Sequence, residues 1–159
     1  LLYYYSSYPL FKNEMYLYNM GKIISIDFGL KRTGIAISDA SRTFAFPLST
    51  IPTKSLMESL QLLFIKEEID LIALGFPKRL NNTIFEIGEN ILELKKVLEK
   101  KFPDKIVVLV DERFTSKIAS QAISQLGLSK KAKQNKALVD KISATLILQS
   151  YIEKKGSLR

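Results

Sequence analysis

The 159-residue sequence predicts a single α/β domain built on a mixed five-stranded sheet, its first three strands antiparallel, with helices on both faces. Three observations carry that expectation. Short β-branched runs crowd the first third of the chain and are joined by hairpin-length turns. Later strand-like runs alternate with amphipathic segments of helical length. The most strand-like run, Ile106 to Val110, is apolar without alternation, as in a strand buried on both faces.

Lys22 to Asp27 and Gly34 to Asp39 read as two strands, with Gly29-Leu30-Lys31-Arg32 as the hairpin between them. Thr43 to Thr50 is a third strand, and Pro47, which cannot donate to a ladder, assigns it to an edge. Pro52 and Thr53 open a helix with Leu56, Leu60, Leu63 and Phe64 at helical spacing. Leu71 to Gly75 is a compact apolar strand. Thr83 and Glu86 form a capping box for a helix whose inner face is Ile84, Ile87, Ile91, Leu94 and Leu98, ending near Phe102-Pro103. After Ile106 to Val110, Thr115 to Leu126 reads as a helix stopped by Gly127. Lys130 to Lys136 is a basic loop. Ala137 to Ile152 closes the fold as a helix with Leu138, Ile142, Thr145, Leu146 and Gln149 in register as one stripe.

Residues 1–19 look foreign to this pattern. They hold six of the seven tyrosines and lack the basic and apolar regions of a secretory signal. Met20-Gly21-Lys22 before an apolar strand reads like a natural start. Residues 1–19 are therefore expected to be an extension peripheral to function, and residues 20–159 the working domain.

Composition removes whole classes of chemistry. With no cysteine there are no disulfides or thiolate nucleophiles, which suits a reducing cytoplasm. With no histidine there is no imidazole base, no Ser-His-Asp triad and no imidazole-ligated metal. No run approaches the roughly 18 apolar residues needed to span a bilayer. The net charge of +8 is localised: from Arg113 to Arg159 ten Lys or Arg face two acids, Asp140 and Glu153. Such a field favours a polyanion, with a solvated lysine-rich face as the plain alternative.

The remaining chemistry belongs to carboxylates. Asp27 closes the first strand, Asp111-Glu112 closes the strongest one, and Asp140 sits among small and apolar neighbours on the last helix. One acid at a strand end is usually a turn or cap residue. Three that converge would repel and raise one another's pKa, and Mg²⁺ or Mn²⁺ relieves that repulsion without imidazole. Two such ions would support phosphodiester hydrolysis. Neighbouring strand residues face opposite ways, so Asp111 and Glu112 are not equivalent, and Glu112 is the narrower choice. In Asp27-Phe28-Gly29-Leu30-Lys31-Arg32-Thr33-Gly34, Gly29 and Gly34 would let backbone approach a phosphate, with Lys31 and Arg32 as cations. Glycines and cations are also routine in hairpin turns, so this pattern is weak alone.

The run from Asp27 to Asp39 resembles the opening signature of the Holliday-junction-resolvase-like family, also called pre-16S rRNA nucleases, of the ribonuclease-H-like superfamily. Asp111-Glu112-Arg113-Phe114-Thr115-Ser116 resembles its second signature. The basic loop from Lys130 to Lys136 and Asp140 to Ala144, with Ile147 to Tyr151, resemble its third. The likeness runs in order from about Met20 to Tyr151. It implies a ribonuclease-H-like fold and a metal-dependent hydrolase of nucleic-acid ester bonds, with Asp27, Asp111 or Glu112, and Asp140 as its acids. It also implies a role in maturing the 5′ end of 16S rRNA. Metal would sit on Asp27, Glu112 and Asp140, and nucleic acid on Lys31, Arg32, Arg113, Lys130, Lys131, Lys133 and Lys136. This chain departs from the family pattern at Gly75-Phe76-Pro77 and Asn81-Asn82-Thr83, where the family has Gly-Leu-Pro and Asp-Gly-Thr.

The expected partner is pre-rRNA, with branched DNA as the alternative substrate and a monomer or weak homodimer as the working unit. A non-catalytic RNA-binding assembly factor is a second class, separated by absence of metal-dependent turnover. A third arises because Asp-x-Gly also resembles the phosphate loop of sugar kinases and actin-like ATPases, but those use two such domains and 159 residues hold one.

Overall fold

The structure, a computed structural model, describes residues 21–77, 82–111 and 135–156, and for residues 82–86 the backbone alone. In chain order the elements are β1 (Lys22–Phe28), β2 (Arg32–Ser38), β3 (Ala45–Pro52), α1 (Leu56–Lys66), β4 (Ile69–Phe76), α2 (Asn82–Lys101), β5 (Ile106–Asp111) and α3 (Lys136–Gly156). A 3-10 turn, Thr53–Ser55, leads into α1.

The five strands form one sheet in the order β3-β2-β1-β4-β5. β1 pairs antiparallel with β2, and β2 with β3. β1 to β4 and β4 to β5 are parallel. This is the mixed sheet expected, with the Pro47 strand at its edge.

The pleat divides the sheet into two cores. On one face Ile24 and Ile26 of β1, Ile35 of β2 and Ile72 and Leu74 of β4 pack beneath Leu56 and Leu60 of α1 and Ile91, Leu94 and Leu98 of α2. On the other, Ile23, Ala36, Leu71, Ala73 and Val110 meet Ala144, Ile147, Leu148 and Ile152 of α3. Small residues on this second face let α3 lie close. Ser25 donates its hydroxyl to the Ala144 carbonyl at 2.6 Å, and Thr50 donates to the Ala137 carbonyl at 2.7 Å. The Gln149 side-chain oxygen accepts the Ala45 N–H at 3.0 Å, tying the start of β3 to the same helix.

Two expectations are corrected. Among the described residues β5 lies at the edge of the sheet, and it is not buried on both faces: Ile106 is 61% exposed and Leu109 39%. The inward face of α3 is Ala144, Ile147, Leu148 and Ile152, whereas Leu138, Ile142, Thr145, Leu146 and Gln149 are only partly buried. α3 is apolar on more than one side, so helical spacing alone selected the wrong stripe. The extension 1–19, the helix expected over 115–126 and the basic residues 130–134 lie outside the described residues, as do the capping side chains of Thr83 and Glu86.

Candidate active site at the end of the first strand

β1 presents Ile23, Ser25 and Asp27 in turn to α3, because alternate residues share a face. Asp27 pairs with Gly34 across the antiparallel ladder. Gly34 lies directly under the first turns of α3: a Cβ built on it would stand 2.2 Å from the Asp140 carbonyl oxygen. The close approach Gly34 permits is therefore that of a helix, not of a phosphate. It is what brings Asp140 to Asp27, across more than a hundred residues of sequence. Gly34→Ala should push α3 off the sheet, lower stability by roughly 1–3 kcal/mol and impair any function shared by the two acids. Denaturant midpoints beside activity check this, and an unchanged midpoint contradicts it.

The two acids feel one another. Burial, and then the negative charge of Asp140, push the Asp27 carboxyl from its ordinary value of 3.8 up to about 6. Asp140 in turn is held by Arg32, whose Nε–H donates to Asp140 Oδ2 at 2.9 Å. Sequence reading gave Arg32 to the nucleic acid and did not foresee this ion pair.

The hairpin carrying Lys31 and Arg32 is bolted from below. Thr53, opening the 3-10 turn, donates its hydroxyl to the Gly29 carbonyl at 2.5 Å, and its backbone N–H donates to the Lys31 carbonyl at 3.2 Å. Its hydroxyl proton being committed to Gly29, its oxygen accepts from the fully buried Thr33 hydroxyl at 2.9 Å. Gly29 itself turns tightly, since an added Cβ would lie 2.7 Å from the Arg32 carbonyl. Thr53 was missed in the sequence. The signal was a hydroxyl after Pro52, at a helix start, in register with the hairpin through the Arg32–Pro52 pair. Thr53→Val should leave the Thr33 hydroxyl without its partner and cost about 1–3 kcal/mol. Urea unfolding checks this, and a cost below about 0.5 kcal/mol would contradict the role.

The other expected residues fall as follows. Asp111, at the end of β5, shares the face of Val107 and Leu109, opposite the α3 face that carries Asp27 and Val110. It is not brought to Asp27 and Asp140. Lys31 is exposed in the hairpin, and Lys136 is exposed as the first residue of α3. Glu112, Arg113, Lys130, Lys131 and Lys133 lie outside the described residues. Among the described residues, no three metal-capable side chains form a group. Asp27 and Asp140 nonetheless suit a hard divalent ion, which commonly takes one or two carboxylates and fills its shell with water and phosphate oxygen. A cleft of about 680 Å³, lined by Arg42, Phe44, Gln149 and Tyr151 among others, contains neither acid. No helix among the described residues is long and apolar enough to cross a membrane.

Comparison with known proteins agrees with this architecture. The fold resembles that of T. thermophilus RuvC, solved in complex with a Holliday junction substrate, with a TM-score of 0.52 at 15% identity over 87% of this chain and 98% of that one. At the level of sequence, a Bacteroides fragilis protein named "Putative pre-16S rRNA nuclease" is 47% identical over 136 residues, covering 86% of this chain and 99% of its own. Proteins of the same name from Phocaeicola vulgatus and Flavobacterium johnsoniae are 48% and 46% identical over 136 residues, covering 86% of this chain and 98% and 99% of their own. With the RuvX family model, described as Holliday junction resolvase, matching residues 21–154, the chain belongs to the RuvX family.

Proposed function

We propose that the protein is a divalent-metal-dependent nuclease that hydrolyses phosphodiester bonds in RNA and acts in maturing the 5′ end of pre-16S rRNA. The observation that carries this reading is that Gly34, the ladder partner of Asp27, lies directly against the Asp140 backbone, so that the sheet and α3 bring two like-charged carboxylates to one end of β1. Arg32 offsets the charge of Asp140, no cationic side chain among the described residues pairs with Asp27, and a divalent ion held by both carboxylates would relieve what repulsion remains. The names of full-length relatives at 46–48% identity favour RNA.

Asp27 and Asp140 would hold the ion, with Glu112 as the third ligand. The pleat supports Glu112 over Asp111: Asp111 faces away from Asp27, so a strand continued by one residue would turn the next side chain toward it. Mg²⁺ or Mn²⁺, when bound, would activate a water and stabilise the leaving oxygen. The chain's own residues then do the rest. Asp27 and Asp140 fix where the reacting phosphate lies, Arg32 and Lys31 neutralise its charge, and the basic segment from Lys130 to Lys136 with Arg113 grips the flanking backbone. That grip makes affinity fall with salt.

An RNA carrying the 16S 5′ end with its precursor extension is the test substrate, beside a four-way DNA junction, with Mg²⁺, with Mn²⁺ and in EDTA. The expected result is a discrete metal-dependent cut in the RNA. Cutting of the junction alone would make the protein a resolvase. Binding of RNA with no cutting in any metal would make it a non-catalytic assembly factor.

A further inference from the structure

Arg32 stands between the two halves of the proposed site. It opens β2 immediately after the hairpin, and its face of the strand continues through Gly34, the partner of Asp27. Its Nε–H meets Asp140 Oδ2 at 2.9 Å, a contact spanning 108 residues of sequence. A guanidinium is planar, with donors along two useful edges: one through Nε and a terminal nitrogen, the other through both terminal nitrogens. The bond to Asp140 is made on the Nε edge. The Arg32 side chain is 39% exposed while that of Asp140 is 24% exposed, so the pair sits at the rim of the site with the arginine on the solvent side. A pair of parallel donors matches two oxygens of a phosphodiester.

We propose that Arg32 spans the site, holding the Asp140 carboxylate beside Asp27 with its Nε edge while its two terminal nitrogens take an oxygen pair of the substrate phosphodiester. It is thus both a substrate contact and the positioning residue for Asp140. This rests on the nuclease reading above and deepens it. Without the arginine, repulsion from Asp27 would turn the Asp140 side chain toward solvent. Lysine in its place would keep a charge near the phosphate, but as a single ammonium it cannot serve both edges.

The test uses the full chain, ¹⁵N-labelled and free of metal, with a short single-stranded oligouridylate as probe. Binding is followed by fluorescence anisotropy and the arginine Nε–H resonances by NMR, the Arg32 signal being the one lost in Arg32→Lys. The Arg32 signal is expected to move on adding the oligonucleotide, and to move in the RNA-free Asp140→Asn protein. With metal, Arg32→Lys should keep KM within about threefold and lose kcat by about tenfold or more. If the oligonucleotide binds and the Arg32 signal stays still, or if Arg32→Lys turns over like the wild type, the bridging role is wrong while the nuclease reading survives. If the wild type binds no oligonucleotide, the substrate contact proposed for Arg32 falls, while the nuclease reading is decided separately by cutting of the precursor RNA. A thermal midpoint for Arg32→Lys within a few degrees of wild type assigns the kcat loss to the site. A collapse of that midpoint would make Arg32 a folding residue and overturn the proposal.

Discussion

Asp27→Asn is expected to lower kcat/KM by more than about 100-fold and, at the same time, to make the metal-free protein more stable above pH 7. The first effect follows from loss of a ligand at the proposed metal centre, which should exceed the roughly 10- to 100-fold cost of removing an outer-shell partner. The second follows from linkage. The folded Asp27 carboxyl is pushed up to about 6, chiefly by burial and then by Asp140, against an ordinary value of 3.8. The folded state therefore holds the proton more tightly than the unfolded chain. Stability from this group is fully present below about pH 4 and is lost as pH rises through about 6. A shift of that size corresponds to about 3 kcal/mol as an upper bound, and partial solvation of the site brings the expected gain to about 1–3 kcal/mol. Urea unfolding of wild type and Asp27→Asn from pH 4 to 8 measures it. Two parallel stability curves would show that Asp27 is not strained by its surroundings.

Asp140→Asn should abolish metal-dependent turnover to a similar extent, again by more than about 100-fold. Its signature on stability differs. Removing the Asp140 charge takes away the second cause of the Asp27 shift but leaves burial, the first. The pH at which wild-type stability declines should therefore move down in Asp140→Asn without reaching the ordinary carboxylate range. The substitution also strips Arg32 of its ionic partner, leaving a neutral acceptor in place of a charge-assisted bond. An unmoved pH profile would mean that the two carboxylates do not sense each other.

Much of the fold is legible because its signals are local. The first two strands announce themselves by β-branched runs around a glycine turn, although β2 opens at Arg32, two residues before the expected Gly34, and Pro47 marks an edge from its own chemistry. Helices with one clear stripe are equally plain, as Ile91, Leu94 and Leu98 of α2 show. The failures are tertiary. Ile106 to Val110 reads as buried on both faces because its composition is apolar, yet its place in the sheet is set by which strand lies beside it, and nothing among the described residues pairs beyond it. In α3, the choice of Ala144, Ile147 and Leu148 over Thr145 and Leu146 is made by Gly34 and Ala36 on another strand. The site divides the same way. Asp27 and Asp140 stand out as acids among apolar neighbours, and that contrast is visible residue by residue. The Arg32–Asp140 pair and the Thr53–Gly29–Thr33 lock are contacts between distant segments, so spacing could not reveal them.

The central claim is that Asp27 and Asp140 share one divalent cation, and calorimetric titration of the full chain with Mn²⁺ tests it most directly. At pH 6, near the folded pKa of Asp27, wild type should bind Mn²⁺ with release of a fraction of a proton, read from the dependence of the heat on buffer ionisation. Asp27→Asn and Asp140→Asn should each weaken binding by about tenfold or more, and Asp27→Asn should lose the proton release. Equal affinity in all three proteins, with no difference in proton release, would contradict the shared site.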